Sequence, residues 1–95
     1  MIRRDGERLV VSGPVTVANV AALLEETKAH FASVRSVDLG EVTELDSSLL
    51  ALLLAWLREA RVHGASLTFT HLPPELGTLA QLYGVAELLP EVASR

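Results

Sequence analysis

The segment from Glu41 to Ser48 holds the residues that come nearest to catalytic chemistry. It carries three carboxylates and two adjacent hydroxyls, those of Glu41, Glu44, Asp46, Ser47 and Ser48. A serine nucleophile needs a base within reach, but neither serine has a histidine at a motif spacing or lies in a G-x-S-x-G turn. Acidic stretches are usually solvated, and no pocket of converging polar groups is indicated. We therefore expect that the protein is not an enzyme.

Phosphate, metal and nucleic-acid chemistry are no better supported by the sequence. No G-x-x-x-x-G-K-[ST] loop is present, and the only lysine, Lys28, falls in a predicted helix. His30, His63 and His71 fall near the ends of three different elements at spacings that match no metal site, and the sequence has no cysteine. The net charge of −4 and the scattered arginines argue against nucleic acid and against a lipid-binding basic patch. We expect no metal, no cofactor and no nucleic-acid partner.

What remains is a pair of hydroxyls where a helix begins. A side-chain oxygen of Asp46 or Ser47 can accept from the free N–H groups of the first helical turn. A phosphorylated serine would add roughly −1.5 to −2 charges at the positive end of that helix, beside the carboxylates of Glu44 and Asp46 that repel it. The serine is therefore either a plain helix cap or a contact point that phosphate blocks.

The helix that follows is predicted to organise the whole chain. It is almost entirely apolar from Leu49 to Leu57, and Gly64 ends it after basic residues in the last two turns. Leu50, Leu53, Leu57 and Ala60 form the ridge that faces the sheet, while Leu52 and Trp56 point to one side of it. That flank is expected to bury either against a neighbouring helix of the same domain or against a second protein.

The remaining elements follow from apolar spacing and turn residues. Strands are predicted at Ile2–Arg4, Glu7–Val11, Ser33–Leu39 and Ala65–His71, with helices over Val17–Ala32 and from Pro73-Pro74 to Gly84. Asp5-Gly6 predicts a hairpin turn, Gly13-Pro14 the end of the second strand, and Thr16 the cap of the first helix. Val85–Pro90 is predicted to form a last apolar turn, followed by a frayed end.

These elements predict one α/β domain over residues 1–95. The order is β-β-α-β-α-β-α, and right-handed crossovers would give a small mixed sheet with helices packed mainly on one face. No apolar run approaches the ~20 residues needed to cross a bilayer, and the N-terminus lacks the apolar stretch of a signal peptide. We therefore expect a cytoplasmic protein.

The central segment resembles the STAS domain family of anti-sigma-factor antagonists and transporter tails. The resemblance is carried by L-D-S-S-x-L at residues 45–50, by V-D-L-x-x-V before it, and by the apolar helix with its terminal glycine. Within the family, the chain is most similar to the small STAS subunits of the Mla phospholipid-transport ABC complexes. The L-A-L-L-L-A-W-L, H-L-P-P-E-L and L-A-Q-L-Y-G-V-A-E-L-L-P segments carry that similarity.

The resemblance implies a non-enzymatic subunit that binds the cytoplasmic ATPase of the transporter and reaches the inner membrane only through that partner. Ser47 matches the Ser or Thr that relatives place at the partner interface, and Asp46 and Ser48 match its flanks. Leu49, where many relatives have glycine, and the flank residues Leu52 and Trp56 complete the expected partner-binding set. A bulky Leu49 would favour permanent apolar docking over a close-fitting kinase. The alternative that the family offers is an anti-sigma-factor antagonist that is switched by phosphorylation of Ser47.

Overall fold

In the computed structural model, which describes residues 1–84, strands and helices alternate after an initial hairpin. The strands are β1 (Ile2–Asp5), β2 (Arg8–Val15), β3 (Ser36–Leu45) and β4 (Thr68–Thr70). The helices are α1 (Val20–Thr27), which a 3-10 turn at Lys28–His30 extends, α2 (Ser47–Val62) and α3 (Pro74–Leu82). The predicted turn at Val85–Pro90 and the frayed end lie outside the described residues.

The four strands form one mixed sheet in the order β1-β2-β3-β4. β1 and β2 pair antiparallel across a tight turn at Gly6, whose φ of 63° is readily adopted only by glycine. β2 pairs with β3 and β3 with β4 in parallel, because α1 and α2 are the crossovers between them. The predicted small α/β domain with the order β-β-α-β-α-β-α is confirmed.

One face of the sheet carries the core. Alternate residues of the strands, among them Leu9, Val37 and Phe69, are buried in a single cluster with residues of all three helices. On the opposite face, Arg3, Val10, Asp38 and Thr70 are successive neighbours across the four strands, and all of them except the buried Val10 are polar. The helices therefore cover the face of the sheet to which the alternating apolar side chains of the strands point.

Both central strands are longer than the sequence predicts. β2 continues through Gly13-Pro14 to Val15, with a register shift between Gly13 and Pro14. A proline is tolerated there because β1 ends its pairing with β2 near Val11, so the strand has a neighbour on one side only. β3 begins at Ser36 instead of Ser33 and runs to Leu45, so the segment expected to be an acidic loop is a paired strand. As a result, β3 leads directly into the start of α2.

The first helix begins three residues later than predicted. Thr16 does not cap a helix at Val17 but closes a turn, in which its backbone N–H donates to Asn19 Oδ1 and its carbonyl accepts from the N–H groups of Asn19 and Val20. α1 then starts at Val20 and gives way to the 3-10 turn after Thr27. The residues before Val20 therefore form a loop that packs beside the start of α2.

α2 is the central helix of the domain, and α1 and α3 both pack against it. The flank of α2 that carries Leu52 and Trp56 packs against the neighbouring helix. Trp56 is fully buried, and its ring centre lies 5.8 Å from that of Phe31, just beyond the end of α1. The first of the two predicted interpretations of this flank, core packing, is therefore the one that the structure supports. No helix within residues 1–84 is long and apolar enough to cross a membrane.

Candidate functional site

The site is built where β3 ends and α2 begins, and Asp46 fixes its geometry. Asp46 has extended backbone angles (φ −138°, ψ −167°), and its Oδ1 accepts a 2.8 Å hydrogen bond from the backbone N–H of Ser48. Its Oδ2 accepts a 3.1 Å hydrogen bond from the backbone N–H of Val17, in the loop before α1. Of the two predicted caps, Asp46 is the one used, and the same carboxylate joins two segments that are far apart in sequence.

The two backbone donors also keep this carboxylate charged. The hydrogen bonds from Val17 and then Ser48 lower the pKa of Asp46, because each stabilises the ionised form. The positive end of α2 therefore faces a permanent negative charge near neutral pH.

Ser47 is the first residue of α2, and its side chain is exposed. Since Asp46 provides the cap, the Ser47 hydroxyl is left with no hydrogen-bond partner within residues 1–84. Ser48 is half-buried beside it. Ser47 therefore lies at the surface, and Ser48 is only partly accessible.

Leu49, Leu52 and Trp56 do not belong to this surface. Their side chains are no more than 2 % exposed and lie in the core of the domain, so our inclusion of them in a partner-binding set is wrong for this structure. The reason is helical geometry, since Leu49 follows Ser47 by two positions and so points about 200° away from it around the helix. Leu49 is therefore a core residue, and it neither blocks nor offers contact at the helix tip.

A cleft lies between the start of α2 and α3. It has a volume of about 430 Å³ and is lined by Leu45, Asp46, Ser47, Glu75, Thr78, Leu79 and Tyr83. Its α3 residues were missed as site residues in the sequence, although Leu79 and Tyr83 are four positions apart and so share one face of a helix. That spacing was a usable signal, but nothing local showed that this face meets the start of α2.

The other titratable groups considered from the sequence are dispersed over the described residues. Glu41 pairs with Arg3 at 3.2 Å, and His71 Nδ1 lies 3.1 Å from Asp38 on the polar face of the sheet. His30 contacts Arg4, and His63 follows the last residue of α2. Within residues 1–84 no three potential metal ligands come together, and no histidine lines the cleft beside Ser47. The arrangement around Ser47 thus presents a hydroxyl, a fixed carboxylate and apolar walls.

Several solved structures with high similarity to this fold are of anti-sigma-factor antagonists. The chain superposes on an anti-sigma-factor antagonist (STAS) domain protein from Planctomyces limnophilus with a TM-score of 0.74 and 15 % identity, covering 100 % of this chain and 90 % of the other. It matches unphosphorylated SpoIIAA, an anti-sigma factor antagonist, with a TM-score of 0.71 and 15 % identity, covering 98 % and 87 % of the two chains. The phosphorylated form of SpoIIAA, a Bacillus cell fate determinant, matches with a TM-score of 0.67 and 15 % identity over 98 % and 90 %. The fold is therefore that of a STAS domain.

The family follows from the sequence itself. A family model described as "Mlab, STAS domain" matches residues 1–90, and the chain belongs to this family of STAS domains. No curated protein matches the sequence.

Proposed function

We propose that this STAS domain is a non-enzymatic subunit that binds the cytoplasmic ATPase of an ABC transporter for phospholipid traffic between the inner and outer membranes. In that role it stabilises and regulates the transporter that maintains outer-membrane lipid asymmetry. It lies on the cytoplasmic side and reaches the inner membrane only through its partner. The family description, which names the Mlab type, supports the choice of transporter.

The observation that carries the proposal is the exposed Ser47 hydroxyl at the tip of a helix whose cap is already provided by Asp46. A serine that caps its own helix is occupied, whereas Ser47 is available to another polypeptide. The exposed Val17 lies next to it, since its backbone N–H is bound to the same carboxylate. This small surface offers a partner one apolar side chain to bury and, beside it, a hydroxyl and a carboxylate that can form hydrogen bonds across the interface.

The test is co-purification and binding affinity with the cognate ABC-transporter ATPase from the same organism. Ser47→Arg places a long charged side chain on the helix tip and should weaken binding at least tenfold, because a central contact is displaced. Ser66→Arg is the matched control, since Ser66 is also exposed but lies beyond the other end of α2. Equal binding by both variants and the wild type, with unfolding unchanged, would refute the proposed interface. No binding by the wild-type protein would refute the proposed partner.

A second candidate is an anti-sigma-factor antagonist that phosphorylation of Ser47 switches. It is favoured by the structural similarity to SpoIIAA in both its phosphorylated and unphosphorylated forms. The exposed hydroxyl at a positive helix end is open to a kinase, and the neighbouring Asp46 would repel the phosphate. This function requires phosphoserine at Ser47 in protein isolated from cells and binding to a serine kinase. Mass spectrometry that finds only unmodified Ser47 under all growth conditions would exclude it.

A further inference from the structure

The cleft beside Ser47 has walls and charges that select one kind of occupant. Its apolar surface comes from Leu45, Leu79 and Tyr83, and the Tyr83 side chain is 57 % exposed. Its volume of about 430 Å³ is larger than one large side chain requires. An open apolar cleft of this kind is a site where a partner can bury an anchoring side chain.

The charges around the cleft all have one sign. The lining includes the carboxylates of Asp46 and Glu75 and no Lys, Arg or His. Neither carboxylate takes part in an ion pair within residues 1–84. The paired cations there are Arg3 of β1, Arg8 of β2, Lys28 in the 3-10 turn after α1, and His71. Glu44, two residues before Asp46 in the chain, is exposed and adds a third negative charge nearby.

We propose that this cleft binds a basic–apolar polypeptide segment, which inserts one large apolar side chain between α2 and α3 and places Lys or Arg against Asp46 and Glu75. The proposal rests on the proposed function, because it specifies the chemistry of the segment through which the ATPase would engage this end of α2. Apolar burial supplies the affinity, and the negative rim selects the partner by its charge.

A second copy of this chain does not fit as the occupant. Two copies that meet through this surface would bring the Asp46 and Glu75 carboxylates of one copy against those of the other. The chain as a whole carries a net charge of −4, which adds to the repulsion. A basic segment of a different protein removes both costs.

The first arm of the test measures affinity for the ATPase with the full-length chain. Glu75→Lys reverses one rim charge and should weaken binding roughly three- to tenfold, with a smaller difference in high salt. Glu26→Lys makes the same change on the exposed side of α1, outside the cleft, and should leave the affinity unchanged. Tyr83→Ala should weaken binding more than about tenfold, whereas Leu82→Ala, which removes a neighbouring exposed side chain that does not line the cleft, should leave the affinity unchanged.

The second arm does not depend on the ATPase. Isotope-labelled protein is titrated with acetyl-Lys-Phe-Lys-amide and, separately, with acetyl-Glu-Phe-Glu-amide, while backbone amide shifts are followed by NMR. The basic peptide should move the amides of Ser47, Thr78 and Tyr83, and the acidic peptide should bind at least several-fold more weakly. Glu75→Lys should reduce or invert that preference, because it removes the charge that sets it.

The outcomes separate the two proposals. Selective binding of the basic peptide without any ATPase binding supports the cleft and refutes the proposed partner. ATPase binding that no cleft variant alters, or equal shifts with both peptides, refutes the cleft as a basic–apolar site. Concentration-dependent shifts at the cleft without peptide would assign it to self-association and would also overturn the inference.

Discussion

The hydrogen bond between the Trp56 indole and the Thr27 hydroxyl offers the sharpest test of how α1 is held on α2. Thr27 is the one buried polar side chain within residues 1–84, and both residues are fully buried. The Trp56 Nε1–H donates to Thr27 Oγ1 at 2.8 Å, and the same hydroxyl donates to the Leu23 carbonyl at 2.8 Å. Thr27→Val keeps the shape of the side chain and removes both hydrogen bonds, which leaves the indole N–H without an acceptor.

The cost follows from that orphaned donor. Leaving a buried N–H without an acceptor lowers the free energy of unfolding by about 1–3 kcal/mol, because the group loses its hydrogen bonds to water on folding and no protein acceptor replaces them. For a domain of this size each kcal/mol lowers the midpoint of thermal unfolding by about 4–8 °C. We therefore expect Thr27→Val to lower the midpoint by at least about 4 °C.

The assay is thermal unfolding for the midpoint and urea unfolding for the free energy, both followed by far-ultraviolet circular dichroism, with a double-mutant cycle. Trp56→Phe removes the donor, so Thr27→Val should cost less in that background than in the wild type, by about 1 kcal/mol. Thr78→Val is the matched control, since it makes the same change at an exposed helical position and should alter the free energy of unfolding by less than about 0.5 kcal/mol. A Thr27→Val protein as stable as the control, or a coupling energy near zero, would refute the reasoning.

The other predictions concern the Asp46 cap and two glycines. Because the pKa of Asp46 is lower in the folded than in the unfolded chain, its contribution to stability is fully present above about pH 4 and is lost as pH falls through the folded pKa. Asp46→Asn should therefore flatten the acid limb of a stability–pH curve, and an unchanged limb would contradict the assigned hydrogen bonds to Val17 and Ser48. Gly77→Ala, inside α3 with open space around the new Cβ, should stabilise the protein by about 0.5–1 kcal/mol, whereas Gly64→Ala, at a φ of +69°, should destabilise it by about 1–2 kcal/mol. Thermal unfolding of the two glycine variants checks both signs, and two changes of the same sign would contradict the account.

The elements with local signals were predictable from the sequence. α2 begins at its Asp46 cap and is followed by a positive-φ glycine at Gly64, as expected, and α3 starts at the predicted proline pair. The last strand is shorter than predicted, since β4 covers only Thr68–Thr70 of the expected Ala65–His71, but the predicted alternation of burial is present: Leu67 and Phe69 are buried while Ser66 is exposed. Capping and strand alternation depend only on residues a few positions apart, so both can be recognised in a single sequence.

The features that define the site depend on residues far apart in the chain. β3 extends to Leu45 because β2 supplies a parallel partner through Val15, although its acidic composition alone indicated a loop. Thr27 follows Leu23 by four positions and so shares the apolar face of α1, but its partner Trp56 is 29 positions away. The bond from Val17 to Asp46 spans the same separation. No periodicity reports such contacts, and for that reason the surface around Ser47 was only partly predictable.

The parallel pairing at the centre of the sheet also determines the order in which the structure can assemble. The β1–β2 hairpin joins neighbours in the chain, but β2 meets β3, and β3 meets β4, only across segments of about 30 residues. Closing such segments costs entropy before any native contact compensates for it, so we expect the local hairpin to form faster than the pairing of the central strands. The start of α2 follows directly on β3, and consequently the surface around Ser47 becomes complete only when the slowest contacts of the chain have formed.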